Sequence, residues 1–151
     1  MTTPPEQVEQ LLATAQQFQS RYAAGQLAWQ KWAGPEGCHA PPLVLLHGGF
    51  GSWNHWFLNL PGLRLKREVW TLDLPGLGSS GEMPEPYTTA HFAQLILSGI
   101  DQLLGEGAQF ALGGFSFGAM IGGRLAAIAG SPANHGPKAE AAQCKLRSLT
   151  E

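Results

Sequence analysis

The sequence predicts an α/β fold built on a parallel sheet, and three observations carry that prediction. Leu43–Leu46, Val69–Leu72 and Phe110–Leu112 are short runs apolar on both faces, each followed by a Gly-rich or Pro-Gly turn, as expected of strands covered by helices on both sides. Two stretches with helical periodicity, Phe92 to Leu104 and Phe117 to Ala129, alternate with them, which is the order of strand–crossover–strand units. Charged residues make up 13% of the 151-residue chain, against roughly 25% in an ordinary soluble domain, so little of it is built to face water. The length suits one domain and not two.

Taken in order, Val8, Leu11, Leu12, Ala15 and Phe18 recur at helical spacing behind Pro4-Pro5-Glu6, so residues 1–26 read as an amphipathic helical segment ending near Gly25. Residues 27–151 read as the core. Within it Leu27 to Ala33, mixing Trp29 and Trp32 with Gln30 and Lys31, fits an edge strand with one wet face. The three apolar strands follow. The helix carrying Phe92, Leu95, Ile96, Ile100, Leu103 and Leu104 is opened by Thr88-Thr89 and closed by Gly105, a capping residue and a C-terminal glycine in the expected places. The helix from Phe117 ends at Gly130-Ser131-Pro132, and Leu146 to Thr150 hints at one more strand.

Gly114-Phe115-Ser116-Phe117-Gly118 stands between the third apolar strand and the following helix. That is the context of a nucleophile elbow, a strained turn that exposes the serine oxygen and leaves room only for small residues two positions to either side. Ser116 is therefore the candidate nucleophile. His47-Gly48-Gly49-Phe50-Gly51-Ser52 follows the first apolar strand, and Asp73-Leu74-Pro75-Gly76-Leu77-Gly78-Ser79-Ser80 follows the second.

With these three landmarks in this order, the chain resembles the α/β-hydrolase superfamily from about residue 27 to residue 130. The resemblance implies the parallel-sheet α/β-hydrolase fold, with Ser116 as catalytic nucleophile and the backbone N–H groups of Gly49 and Phe117 as the oxyanion hole. His47 is read as a structural holder of its loop, and Asp73 and Asp101 as structural and surface residues. The loop His47 to Gly51 is similar to those of carboxylesterases, proline iminopeptidases and carbon–carbon bond hydrolases. Hydrolysis of an ester, an amide or a C–C bond through a serine-bound intermediate follows, with neither metal nor organic cofactor. Serine in place of aspartate at the elbow argues against haloalkane dehalogenase or epoxide hydrolase chemistry. Phe50, Trp53, Trp56 and Phe115 suggest an apolar pocket wall.

The family's acid and base follow the nucleophile in the chain, and beyond Ser116 the only acidic residues are Glu140 and Glu151 and the only histidine is His135. His135 trails a helix that starts at the elbow, which puts it about 20 Å below Ser116 at 1.5 Å per residue. His55 and His91 lie on the active-site side and read as pocket or solvated histidines, with a substitute base as the other reading. The expectation is an amino-terminal, incomplete hydrolase core, truncated after the elbow helix and inactive alone. The alternative is a non-catalytic remnant or binding fragment of such an enzyme.

Other classes fare worse. Gly76 to Gly81 spells G-x-G-x-x-G after a strand, but Pro84 and Pro86 follow, and a dinucleotide fingerprint must open a helix there. The loop at Gly48 lacks the lysine of a P-loop. A net charge of −2 without basic runs offers no footprint for nucleic acid or anionic lipid, and no apolar run reaches the ~20 residues of a membrane span. A small-molecule substrate is the expected partner, with self-association through an exposed sheet edge. Two isolated cysteines, Cys38 and Cys144, and a start without signal features point to a reducing, cytoplasmic setting.

Overall fold

The computed structural model describes residues 4–131. A first helix α1 (Pro4–Leu12) leads into strands β1 (Gln16–Tyr22) and β2 (Gly25–Trp32), then β3 (Leu43–Leu46), a 3-10 turn at Trp53–Trp56 and the one-turn helix α2 (Leu60–Leu63). Strand β4 (Val69–Leu72), helix α3 (Thr89–Leu104), strand β5 (Ala111–Gly114) and helix α4 (Phe117–Ala129) complete it. The five strands form one sheet in the order β1-β2-β4-β3-β5. Its β4, β3 and β5 are parallel, in register Leu43 with Val69 and with Ala111, while β1 and β2 join antiparallel.

Side-chain alternation divides the sheet into two covered faces. Leu27, Trp29, Val44, Leu46, Trp70 and Leu72 pack with Ile96, Ile100, Ile121 and Leu125 of α3 and α4. On the other face Trp32, Leu45 and Val69 pack with Trp53, Trp56 and Leu60, and Val8, Leu11 and Leu12 of α1 lie against them. The apolar runs are strands because both of their faces are used. α3 is capped by the Thr88 hydroxyl, which accepts from the His91 N–H, and ends at Gly105 with φ 97°. It crosses β1 and β2 closely at Gly99, where a Cβ would stand 2.6 Å from Ser20 Oγ and 2.8 Å from Trp29.

Two expectations are corrected. The amino-terminal helix stops at Leu12 instead of running towards Gly25, and residues 16–22 form a strand. Phe18 fits the helical spacing by accident of numbering, but its ring lies 5.2 Å from that of Trp70. Ser20 accepts from Trp29 Nε1, and the Tyr22 hydroxyl donates to Glu82 O at 2.6 Å. Residues 18, 20 and 22 thus share the sheet's inner side, a period of two hidden under a polar edge sequence. Consequently Leu27 to Ala33 is not an edge strand: β2 lies between β1 and β4, and β1 takes the edge. The suggested strand at Leu146 to Thr150 lies outside the described residues, as do His135, Glu140, Cys144 and Glu151.

Candidate active site

The loops at the carboxyl ends of β3, β4 and β5 bring the candidate site residues together. Ser116 sits between β5 and α4 with φ 51° and ψ −119°, a left-handed conformation that costs a non-glycine residue about 1–3 kcal/mol. It is exposed, and no described side chain hydrogen-bonds to its Oγ. The flanking glycines are required by contact. A Cβ on Gly114 would come within 2.7 Å of Gly118 O and Ala119 Cα, and one on Gly118 would run into the carbonyls of Leu46 and His47. Gly118 therefore lets α4 begin directly beside the end of β3.

That closeness brings two loops together. A Cβ built on Gly49 would lie 3.8 Å from Phe117 Cβ, so the two candidate donor residues are neighbours across the mouth of the sheet. Among the described residues neither the Gly49 nor the Phe117 N–H has a protein acceptor. Phe50, next to Gly49, has φ 56° and is wholly exposed. Phe115 is also exposed.

His47 is buried and structural, as its position suggested. Its Nε2 accepts the Leu74 N–H at 2.9 Å, which leaves Nδ1 to donate to Gly48 O at 2.6 Å. Burial lowers its pKa, with the Gly48 hydrogen bond and Asp73 opposing the shift. The ring is therefore a neutral strut between two loops. Asp73 is buried too and braces the same region. Its carboxylate accepts from Trp53 N–H and Ser79 N–H at 2.8 and 2.9 Å, and Gly78 leaves the space this needs, since a Cβ there would overlap the carboxylate. The turn after β4 leads into irregular chain past Pro84 and Pro86 until α3 begins at Thr89, so no helix opens directly behind the glycines to receive a pyrophosphate.

His91 is turned to Pro86 O. His55 was legible as a residue on this side, but its contacts were not: the Gly48 N–H donates to its Nδ1 at 3.2 Å, and its ring meets those of His47 and Phe115 edge to face, each at 5.8 Å. The Gly51 that makes room for the ring was visible in the sequence, but what it makes room for was not.

The sequence profile of the alpha/beta hydrolase family matches residues 43–147. The chain belongs to that family. Among proteins of known function it is 34% identical over 103 residues to the dihydrolipoyllysine-residue acetyltransferase component of the acetoin cleaving system of Pseudomonas putida, covering 68% of this chain and 26% of that protein. Among solved structures, a Pseudomonas aeruginosa protein described as an epoxide hydrolase is 30% identical with a TM-score of 0.65, covering 76% of this chain and 37% of that one. A hydrolase from P. aeruginosa PA01 is 26% identical with a TM-score of 0.64, covering 73% of this chain and 40% of that one. This alpha/beta hydrolase chain thus spans well under half the length of the relatives it matches. No helix among the described residues is long and apolar enough to cross a membrane.

Proposed function

We propose that this chain carries the nucleophilic half of a serine hydrolase, in which Ser116 attacks a carbonyl carbon and the N–H groups of Gly49 and Phe117 stabilise the oxyanion that forms. The observation that carries the reading is the exposed serine at φ 51°, with Gly49 and Phe117 side by side next to it. As the Ser116 Oγ–carbon bond forms, the carbonyl π electrons move to oxygen, and two N–H dipoles fixed in advance meet that charge. Each such donor contributes roughly 3–4 kcal/mol in comparable sites. Collapse expels the leaving group and leaves a covalent serine intermediate, which water then hydrolyses.

A serine nucleophile suits esters, amides or C–C bonds next to a carbonyl. The exposed rings of Phe50 and Phe115 flanking the site favour a small, largely apolar substrate. The epoxide hydrolase neighbours support the fold, while Ser116 supports acyl chemistry. Among the described residues no side chain is placed to accept the Ser116 proton, so residues 4–131 by themselves turn over substrate near background. A residual rate remains, since sites deprived of triad members keep roughly 10³–10⁴-fold acceleration over water.

The decisive test is incubation with a fluorophosphonate probe and mapping of the adduct by mass spectrometry. Phosphonylation of Ser116 that disappears in Ser116→Ala is the expected outcome, and a chain left unmodified at Ser116 would refute the assignment. The non-catalytic alternative is favoured by one observation, that no described imidazole bonds to Ser116 Oγ. Slow labelling of Ser116 without ester turnover would mark a trapped but incomplete site.

A further inference from the structure

His55 takes no part in the chemistry above, yet its ring holds the loop on which that chemistry depends. It belongs to the 3-10 turn Trp53–Trp56 and folds back over the loop that follows β3. Gly51 lies beneath it with no space for a side chain, since a Cβ there would overlap the imidazole. Its Nδ1 accepts the Gly48 N–H, and its edges meet His47 and Phe115. One ring therefore touches both the loop of Gly49 and the residue before Ser116.

Gly48 is followed by a second glycine, and nothing in either side chain limits their backbone angles. What limits them is a set of hydrogen bonds. The Gly48 carbonyl is held by His47 Nδ1–H at 2.6 Å and by Gly51 N–H at 3.3 Å. Because the peptide is planar and trans, fixing that carbonyl aims the Gly49 N–H the opposite way. Among the described residues the Gly48 N–H is held by His55 alone.

We propose that His55 is a positioning residue, whose Nδ1 lone pair fixes the Gly48 N–H and with it the angle at which the loop enters the site, so that Gly48, which carries the Gly49 peptide, is held on both its N–H and carbonyl sides only while the ring is neutral. The functional consequence rests on the proposed role of Gly49 beside Ser116; the structural device does not. A neutral imidazole offers one acceptor, whereas the imidazolium carries hydrogen on both nitrogens and offers none. Protonation would set a donor against the Gly48 N–H and release it. The titratable groups facing the ring are His47, at the end of β3, and Asp73, which reaches the same turn through the Trp53 N–H. Phe115, on the β5 side, brings no charge.

The test is amide hydrogen exchange of the full 151-residue chain, resolved at Gly48 and corrected for intrinsic rates, between about pH 8 and pH 5. In the native chain, protection at Gly48 falls on acidification by about tenfold, the loss of roughly one net hydrogen bond, while amides of β3 and α4 hold. His55→Asn, whose carboxamide oxygen can accept in place of Nδ1, keeps Gly48 protected at both ends of the range. His55→Ala loses protection at both. Fluorophosphonate labelling of Ser116 follows the same pH curve in the native chain, beyond the probe's own pH dependence, and flattens in His55→Asn. If Gly48 protection does not change with pH, or falls equally in His55→Asn, the device is His47 or nothing, and the proposal is overturned. Failure of labelling at every pH, with the exchange pattern intact, would instead refute Ser116 as nucleophile and leave the His55 bond standing.

Discussion

At the scale of single residues, strain and burial give opposite instructions to the two ends of the site. Ser116 holds a left-handed backbone that glycine adopts without cost. Replacing it with glycine should raise stability by about 1 kcal/mol in chemical denaturation, while removing the proposed nucleophile and all phosphonylation at that position; a loss of stability would show that the turn is not strained. His47 works the other way, since burial lowers its pKa below the ordinary 6.5. Above that pH neither the folded nor the unfolded chain holds a proton on this ring. As pH drops below it the unfolded chain takes one up and the folded chain does not, so unfolding is favoured until the lowered folded value is passed. Stability should therefore decline on acidification through that window. His47→Gln, which can still donate to Gly48 O and accept from Leu74 N–H, should flatten the decline, measured as the difference in unfolding free energy against pH between the two proteins. Equal slopes would remove His47 as the cause.

At the scale of elements, glycine is a contact requirement in one place on α4 and a liability in another. Gly118 begins the helix against the carbonyls of Leu46 and His47, which as backbone of a buried strand end cannot move aside, whereas Gly123 has nothing within 4 Å of a built Cβ. Gly118→Ala should cost about 1–3 kcal/mol as an overpacked contact, and Gly123→Ala should stabilise by roughly 0.5–1 kcal/mol through helix propensity alone. Paired urea titrations check both, and the same sign for the two would refute the contact argument. The same elements show what the sequence could say. β3, β4, α3 and α4 were legible to within a residue or so because apolar runs filled on both faces stop abruptly at glycine and proline. β1 was not, because an edge strand keeps one polar face, and Phe18 extended the spacing of Leu11 and Ala15 as if the helix continued. The G-x-S-x-G turn was legible from its setting. The grip of His55 on Gly48 was not, since the Gly-rich turn after β3 is marked by its glycines but the side chain that closes over it is not.

At the scale of the whole molecule, the sheet is unequally finished. On one side β1 closes it with a polar outer sequence and the Arg21 N–H satisfied by Gln102. On the other, β5 hydrogen-bonds β3 alone among the described residues. The Ala111 and Phe115 N–H groups donate inwards, to Pro42 O and Leu46 O. In a parallel pairing the alternate groups, on Leu112 and Gly114, point the other way. A short strand of Ala111, Leu112, Gly113 and Gly114 carries no charge, proline or bulge to discourage addition of another strand. The 151-residue chain should therefore self-associate through β5, with sedimentation coefficients that rise with concentration and an unfolding transition that sharpens and moves upward as protein is added. Gly113→Lys would not isolate the edge, because Gly113 faces Leu45 and a Cβ there would stand 2.8 Å from it. Ala111→Lys places the charge at the start of the strand, where Ala111 is only partly buried, and should weaken association without lowering the stability of the monomer. A monodisperse monomer across the concentration range, with one cooperative transition unaffected by Ala111→Lys, would show that the β5 edge is already covered and that the argument from its open N–H groups is wrong.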